Sequence, residues 1–195
     1  MSQRKQRVHY HLDSGGITHL EFSEIKAILR AADELIDTGG RTMLSKILKG
    51  SKDKKLLEHA LDQCHVYGFY GHLTLTEISH RIDFVIENGY LEIEYSARLP
   101  VMVYTEKGWE IERETYAEEL LQKLSDLLNG NDFSFVEELK DRNRGMILLL
   151  ISKISKTNNT EFIPLLRAWQ EIEYKKVRNA LQKVINELMK MVDSF

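Results

Sequence analysis

The sequence predicts a mainly α fold in three stretches. Residues 1–22 form an N-terminal arm, 23–112 a winged helix of three to four helices with a β-hairpin wing, and 113–195 a helical C-terminal region. Three observations carry this. Apolar residues recur at helical spacing in four successive runs between Ile25 and Ile86. The pattern then changes to strict alternation at Tyr90–Tyr95, followed by a second strand-like run after Pro100. Third, the 195-residue chain is 43% hydrophobic and 29% charged with only 2 prolines, a composition that suits a helix-rich globular protein.

The first helix carries Ile25, Ile28, Leu29, Ala32, Leu35 and Ile36, with Ser23 as its expected N-cap and Gly39-Gly40 as its stop. A second contains Met43, Leu44, Ile47 and Leu48 and ends at Gly50. A third starts after Ser51 and is expected to bury Leu56, Leu57, Ala60 and Leu61. Gly68 and Gly71 mark a loop holding Tyr67, Phe69 and Tyr70. Thr76 is the expected N-cap of a fourth helix with Ile78, Ile82, Val85 and Ile86 inward, closed by Asn88-Gly89. Leu91, Ile93 and Tyr95 share one face of a strand and Glu92 and Glu94 the other. Ser96 to Leu99 connects to a return strand that begins at Pro100.

Beyond Trp109 the chain becomes an acidic helix, then breaks at Asn129-Gly130-Asn131-Asp132. A short helix over 133–140 and a buried helix from Met146 to Lys156 follow. Residues 165–192 read as a single apolar stripe from Trp169 to Met191. Such a helix packs in the core, or serves as a dimerisation or protein-partner surface. Only about two heptads are sustained, which does not support a long coiled coil.

Net charge is −3 and the isoelectric point about 6.2, which argues against a wholly basic nucleic-acid protein and leaves local clustering to decide. The single cysteine, Cys64, excludes an internal disulfide and a multi-cysteine zinc site. The N-terminal stretch has no secretory apolar core, and the longest apolar run, Met146–Ile151, is too short to span a bilayer. The expected location is cytoplasmic, nucleoid-associated if DNA is bound. His9 and His11 alternate, and His59, Cys64 and His65 are near in sequence, but neither group supplies the three or four convergent ligands a metal needs. No metal or cofactor is expected. Glu118-Glu119 and Glu137-Glu138 read as surface charge.

The strongest chemical signal is a run of cations. Arg41, Lys46, Lys49, Lys52, Lys54 and Lys55 fall within fifteen residues against one acid, Asp53. At the junction of two short helices such a run can hold phosphates, although a lysine run can equally be a solvated face. Gly40-Arg41-Thr42-Met43-Leu44-Ser45-Lys46-Ile47-Leu48-Lys49-Gly50-Ser51 resembles a segment of the winged-helix domain that follows the motor of RecQ-family helicases, the RQC domain. Tyr67-Gly68 with Leu75-Thr76, and Tyr104-Thr105-Glu106-Lys107-Gly108, resemble two further elements of that family in the same order. The resemblance covers about half of the chain.

The resemblance implies DNA as partner, as duplex, forked or end structures. Lys49 and Ser51 fall on the family's phosphate-binding positions and Lys55 on a later basic one, with lysine at 49 where the family more often has arginine. Lys52 and Lys54 are expected to hold the same strand at the start of the third helix, and Arg41 and Lys46 to add charge. Thr76, Ser79, His80 and Arg81, at the start of the fourth helix, are further candidates. At the wing tip, Arg98 and Leu99 stand where strand-separating members place an aromatic, so duplex-end or backbone binding is expected rather than strand separation. The 195 residues hold no G-x-x-x-x-G-K-(S/T) loop and no four-cysteine zinc module, so no catalysis is expected from them. The competing reading is a protein-interaction module, with the winged helix docking a partner and an acidic C-terminal half as effector surface.

Overall fold

The computed structural model describes residues 11–97, 99–128, 130 and 133–192. His9 and Arg98 lie outside them, as do Asn129, Asn131 and Asp132 of the expected break. The chain divides into two compact units, residues 1–112 and 113–195.

The first unit is a winged helix: α1 (Phe22–Asp33), α2 (Arg41–Lys49), α3 (Lys54–Glu58), a 3-10 turn (Leu61–Gln63), α4 (Leu75–Glu87), then the hairpin β1 (Leu91–Ser96) and β2 (Leu99–Tyr104). The strands are antiparallel, with Leu91 opposite Tyr104 and Ser96 opposite Leu99. Ile28, Leu29, Leu44, Ile47, Leu48, Leu56, Ile78, Ile82 and Leu91 are fully buried in one core. The wing is tied to the helices by backbone. Met102 N donates to Gly39 O and Asp37 N to Met102 O, both at 3.1 Å, so the α1–α2 connection pairs with β2.

Four local expectations are corrected. Glu21, not Ser23, precedes α1, and its N–H donates to Glu24 Oε2 at 3.0 Å. Thr74, not Thr76, caps α4: its Oγ1 accepts from Glu77 N, and Glu77 Oε2 accepts from Thr74 N at 2.8 Å. That reciprocal pair is a capping box, and the donors to Glu77 hold its carboxyl below the ordinary range. Third, α3 is a single five-residue stretch, and Leu57 and Ala60 are exposed rather than buried. Pro100 follows Leu99 as the second residue of β2.

The second unit contains most of α5 (Glu106–Leu127), a 3-10 stretch (Ser134–Leu139), α6 (Arg144–Thr157), α7 (Phe162–Ile172) and α8 (Lys175–Val192). Leu150, Ile154, Leu165, Leu166, Trp169 and Leu181 form the buried interior. The stripe expected over 165–192 is two helices, broken at extended Glu173 (φ −89°, ψ 159°). The Glu173 carboxylate is buried and accepts from Trp169 Nε1 at 2.8 Å and from Tyr174 N at 3.1 Å, which offsets the helical bonds lost at the break. Among the described residues, no helix is long and apolar enough to cross a membrane.

Candidate nucleic-acid interface

The α2–α3 turn is built by local hydrogen bonding. Gly50 ends α2 in the left-handed region (φ +73°), its N–H donating to Ile47 O, and Ser51 N donates to Lys46 O at 3.0 Å. The Tyr67-Gly68 loop then locks onto this end. Gly68 N donates to Ile47 O at 2.9 Å, Tyr70 N to Leu48 O at 2.8 Å, and the Tyr67 hydroxyl to Ser51 O at 3.0 Å. A Cβ on Gly50 would lie 3.0 Å from Gly68 Cα. The Tyr-Gly element therefore fixes where Ser51 stands.

The cations of the cluster divide by their partners. Arg41 binds the buried carboxylate of Asp83, with Nη1 at 2.6 Å from both oxygens. Lys46 Nζ binds Asp53 Oδ2 at 2.7 Å and, as the first cause, holds that carboxyl below its ordinary value. The other Asp53 oxygen accepts from Lys55 N at 3.0 Å, so the start of α3, expected to be open to phosphate, already carries a carboxylate. Lys49 Nζ donates to Gly71 O and Leu73 O, each at 2.7 Å. Lys54 has a loose contact with Glu58 at 3.6 Å. Lys52 and Lys55 are exposed, with no carboxylate in ion-pair range among the described residues.

A groove of about 890 Å³ runs between α2–α3 and the wing. Arg41, Met43, Lys46, Lys55, His59 and Leu99 are among its lining residues. The fold thus brings four of the expected site residues, Arg41, Lys46, Lys55 and Leu99, to one concavity, with Ser51, Lys52 and Lys54 at the adjoining turn. Leu99 is 72% exposed at the wing tip. His59 was not anticipated as part of this site. Its signal lies in helical spacing, since positions 55 and 59 are four apart.

The α4 candidates stand apart from the groove. Thr76 is exposed, but Ser79, His80 and Arg81 are half-buried and engaged within the fold. Ser79 Oγ is 3.1 Å from Ser45 Oγ, His80 Nε2 is 3.7 Å from Asp13, and Arg81 donates to Glu77 O and contacts Glu24.

The last family-like element is structural. Thr105 Oγ1 donates to Gly89 O at 2.8 Å and accepts from Gly108 N at 3.0 Å, and Lys107 Nζ donates to Asn88 O at 3.1 Å. A Cβ at Gly108 would collide with the Tyr90 carbonyl oxygen. This element closes the end of β2 onto the end of α4 and fixes the root of the wing. Among the described residues no group of His, Cys, Asp and Glu is arranged to hold a metal, and Cys64 is buried.

Helices α1 to α4, the hairpin and the basic turn beside it define a winged-helix module. The RQC domain family model matches residues 22–124, and the chain belongs to that family. Over 85 residues it is 29% identical to the ATP-dependent DNA helicase RecQ of Bacillus subtilis (strain 168), covering 44% of this chain and 14% of that helicase. The chain therefore matches about one seventh of the relative's length. No solved structure matches the chain.

Proposed function

We propose that the protein binds DNA, as duplex or duplex end, through backbone phosphates, with no chemistry of its own. The observation that carries this is the α2–α3 turn: Lys52 and Lys55 are exposed beside Ser51, with no carboxylate in ion-pair range among the described residues, and Lys55 lines a groove that Leu99 of the wing also lines. Lys52, Lys54 and Lys55 contact phosphates as point charges, Ser51 supplies a hydroxyl, and Leu99 meets the duplex end by apolar contact. Arg41 and Lys46 act chiefly inside the protein and add only longer-range field. Lys49 sets the 71–73 loop and keeps its positive charge at the C-terminal end of α2, because both of its partners are neutral carbonyls. Thr76, Ser79, His80 and Arg81 are minor contributors, and Arg98 extends the wing's charge.

A mobility-shift panel of single-stranded, blunt, forked and four-way DNA, run at two salt concentrations, tests this. The blunt duplex should shift, and Lys52→Glu with Lys55→Glu should remove that shift while leaving the circular-dichroism spectrum intact. Absence of a shift in the wild type would instead support the second reading, a module that docks a protein, and equal shifts by wild type and variant would put DNA contact away from the α2–α3 turn. One observation favours that rival: residues 1–112 hold fourteen Lys and Arg against seventeen Asp and Glu, so the whole net charge of −3 belongs to the winged-helix unit. The C-terminal region, expected to be the acidic effector, has thirteen of each and is neutral.

A further inference from the structure

We propose that the second unit has its own contact for a single DNA strand, with Tyr174 as a stacking platform and Lys140, Arg144, Lys175 and Lys176 as phosphate contacts. The choice of nucleic acid as partner rests on the DNA-binding reading of the first unit. The site itself rests on separate observations.

Tyr174 follows the helix break at Glu173 and is 59% exposed, unusual for an aromatic in a unit whose interior is otherwise well filled. Its position is fixed. The buried Glu173 carboxylate accepts from Tyr174 N, and Arg178 Nη2 donates to Glu173 O at 2.8 Å. The ring borders a hollow of about 250 Å³ between the starts of α6 and α8, with Lys140, Arg142, Arg144, Ile147 and Val177 around it. Lys140 Nζ stands 5.4 Å from the Tyr174 ring centroid.

The cations here are grouped and lack carboxylate partners among the described residues. On the same two helices, Lys153 is paired with Glu114 and Glu118, and Lys183 with Glu187. Lys140, Arg144, Lys175 and Lys176 are all exposed, and none has a carboxylate in ion-pair range among the described residues. Arg142 is engaged inside, on Glu138 O and Tyr116. The only exposed acid lining the hollow is Asp141. An exposed aromatic ring beside unpaired cations suits a strand whose bases are free to stack and whose phosphates lie one nucleotide apart. Within a duplex every base face is stacked, so a strand with free bases offers the ring many more places to stack, and the partner assigned is a single strand.

The test measures fluorescence anisotropy of the full chain on labelled poly-dT and on a blunt duplex. Tyr174→Ala should weaken poly-dT binding by about tenfold, Tyr174→Phe should retain it, and neither should alter duplex binding. Lys175→Glu with Lys176→Glu should weaken poly-dT binding and flatten its salt dependence. All three sites are exposed, so the fold persists, and circular dichroism verifies it. Poly-dT affinity unchanged in both Tyr174→Ala and the charge-reversal variant overturns the proposal. So does competition by poly-glutamate as effective as by poly-dT, which would mark a general polyanion or acidic-peptide surface. Failure here with duplex binding still abolished by Lys52→Glu and Lys55→Glu would leave the first unit's reading intact.

Discussion

Asp53 and Asp83 decide which cations face outward. Asp83 is 2% exposed and holds Arg41, so Arg41→Ala leaves a buried carboxylate without its main partner. That variant should lose about 3 kcal/mol of stability, read as a lower urea midpoint, before any effect on binding is considered. Asp53 acts differently because it lies at the surface of the basic turn. Asp53→Asn keeps an N-cap side chain and releases Lys46, so duplex affinity should rise several-fold without loss of the helix. The pH dependence follows in sign. The Asp53 carboxyl is held below its ordinary value of 3.8, first by the Lys46 hydrogen bond. Its contribution to stability is therefore present above that range and is lost as pH falls through the lowered value. Urea midpoints of wild type and Asp53→Asn should converge on acidification, and a constant gap down to pH about 2 would show that Asp53 does not titrate with folding.

Elements show what was legible in the sequence. The helices and hairpin of residues 23–112 could be read because apolar period and turn residues agree there. The cap of α4 was legible but misassigned: Glu77 lies three residues after Thr74, the spacing of a capping box, whereas Ser79 lies three after Thr76. Thr74→Ala should cost about 1 kcal/mol and Thr76→Ala nearly nothing, which thermal melts can resolve. The shortness of α3 was hidden because Leu57 and Ala60 fit a helical stripe while facing solvent. The break at Glu173 was hidden too: Trp169 and Val177 stay in phase across it, and a buried carboxylate replaces the helical bonds. Gly50→Ala tests the α2–α3 junction. A left-handed φ and close approach to Gly68 should together make it destabilising by about 1–2 kcal/mol and should shift Ser51 and Lys52 with it.

For the whole molecule, the cation cluster read from sequence is not one uniform patch. Six basic residues over 41–55 suggested a broad grip, but two are tightly engaged by carboxylates, Lys54 loosely by Glu58, and Lys49 by backbone carbonyls. Sequence spacing shows where charges are, not which of them the fold neutralises, because Asp83 lies forty-two residues from Arg41. What remains exposed and without a carboxylate partner among the described residues is the pair Lys52 and Lys55, on a unit of net negative charge. Association should therefore depend on local field and be strongly attenuated by salt. The most direct measurement is the slope of log K against log salt for a blunt duplex, in wild type and in Lys52→Glu with Lys55→Glu. Each phosphate neutralised contributes about −0.9, so the wild type should give a slope between about −2 and −4, and the variant should lose about two units. A slope near zero in the wild type, or the same slope in both proteins, would contradict phosphate binding at the α2–α3 turn.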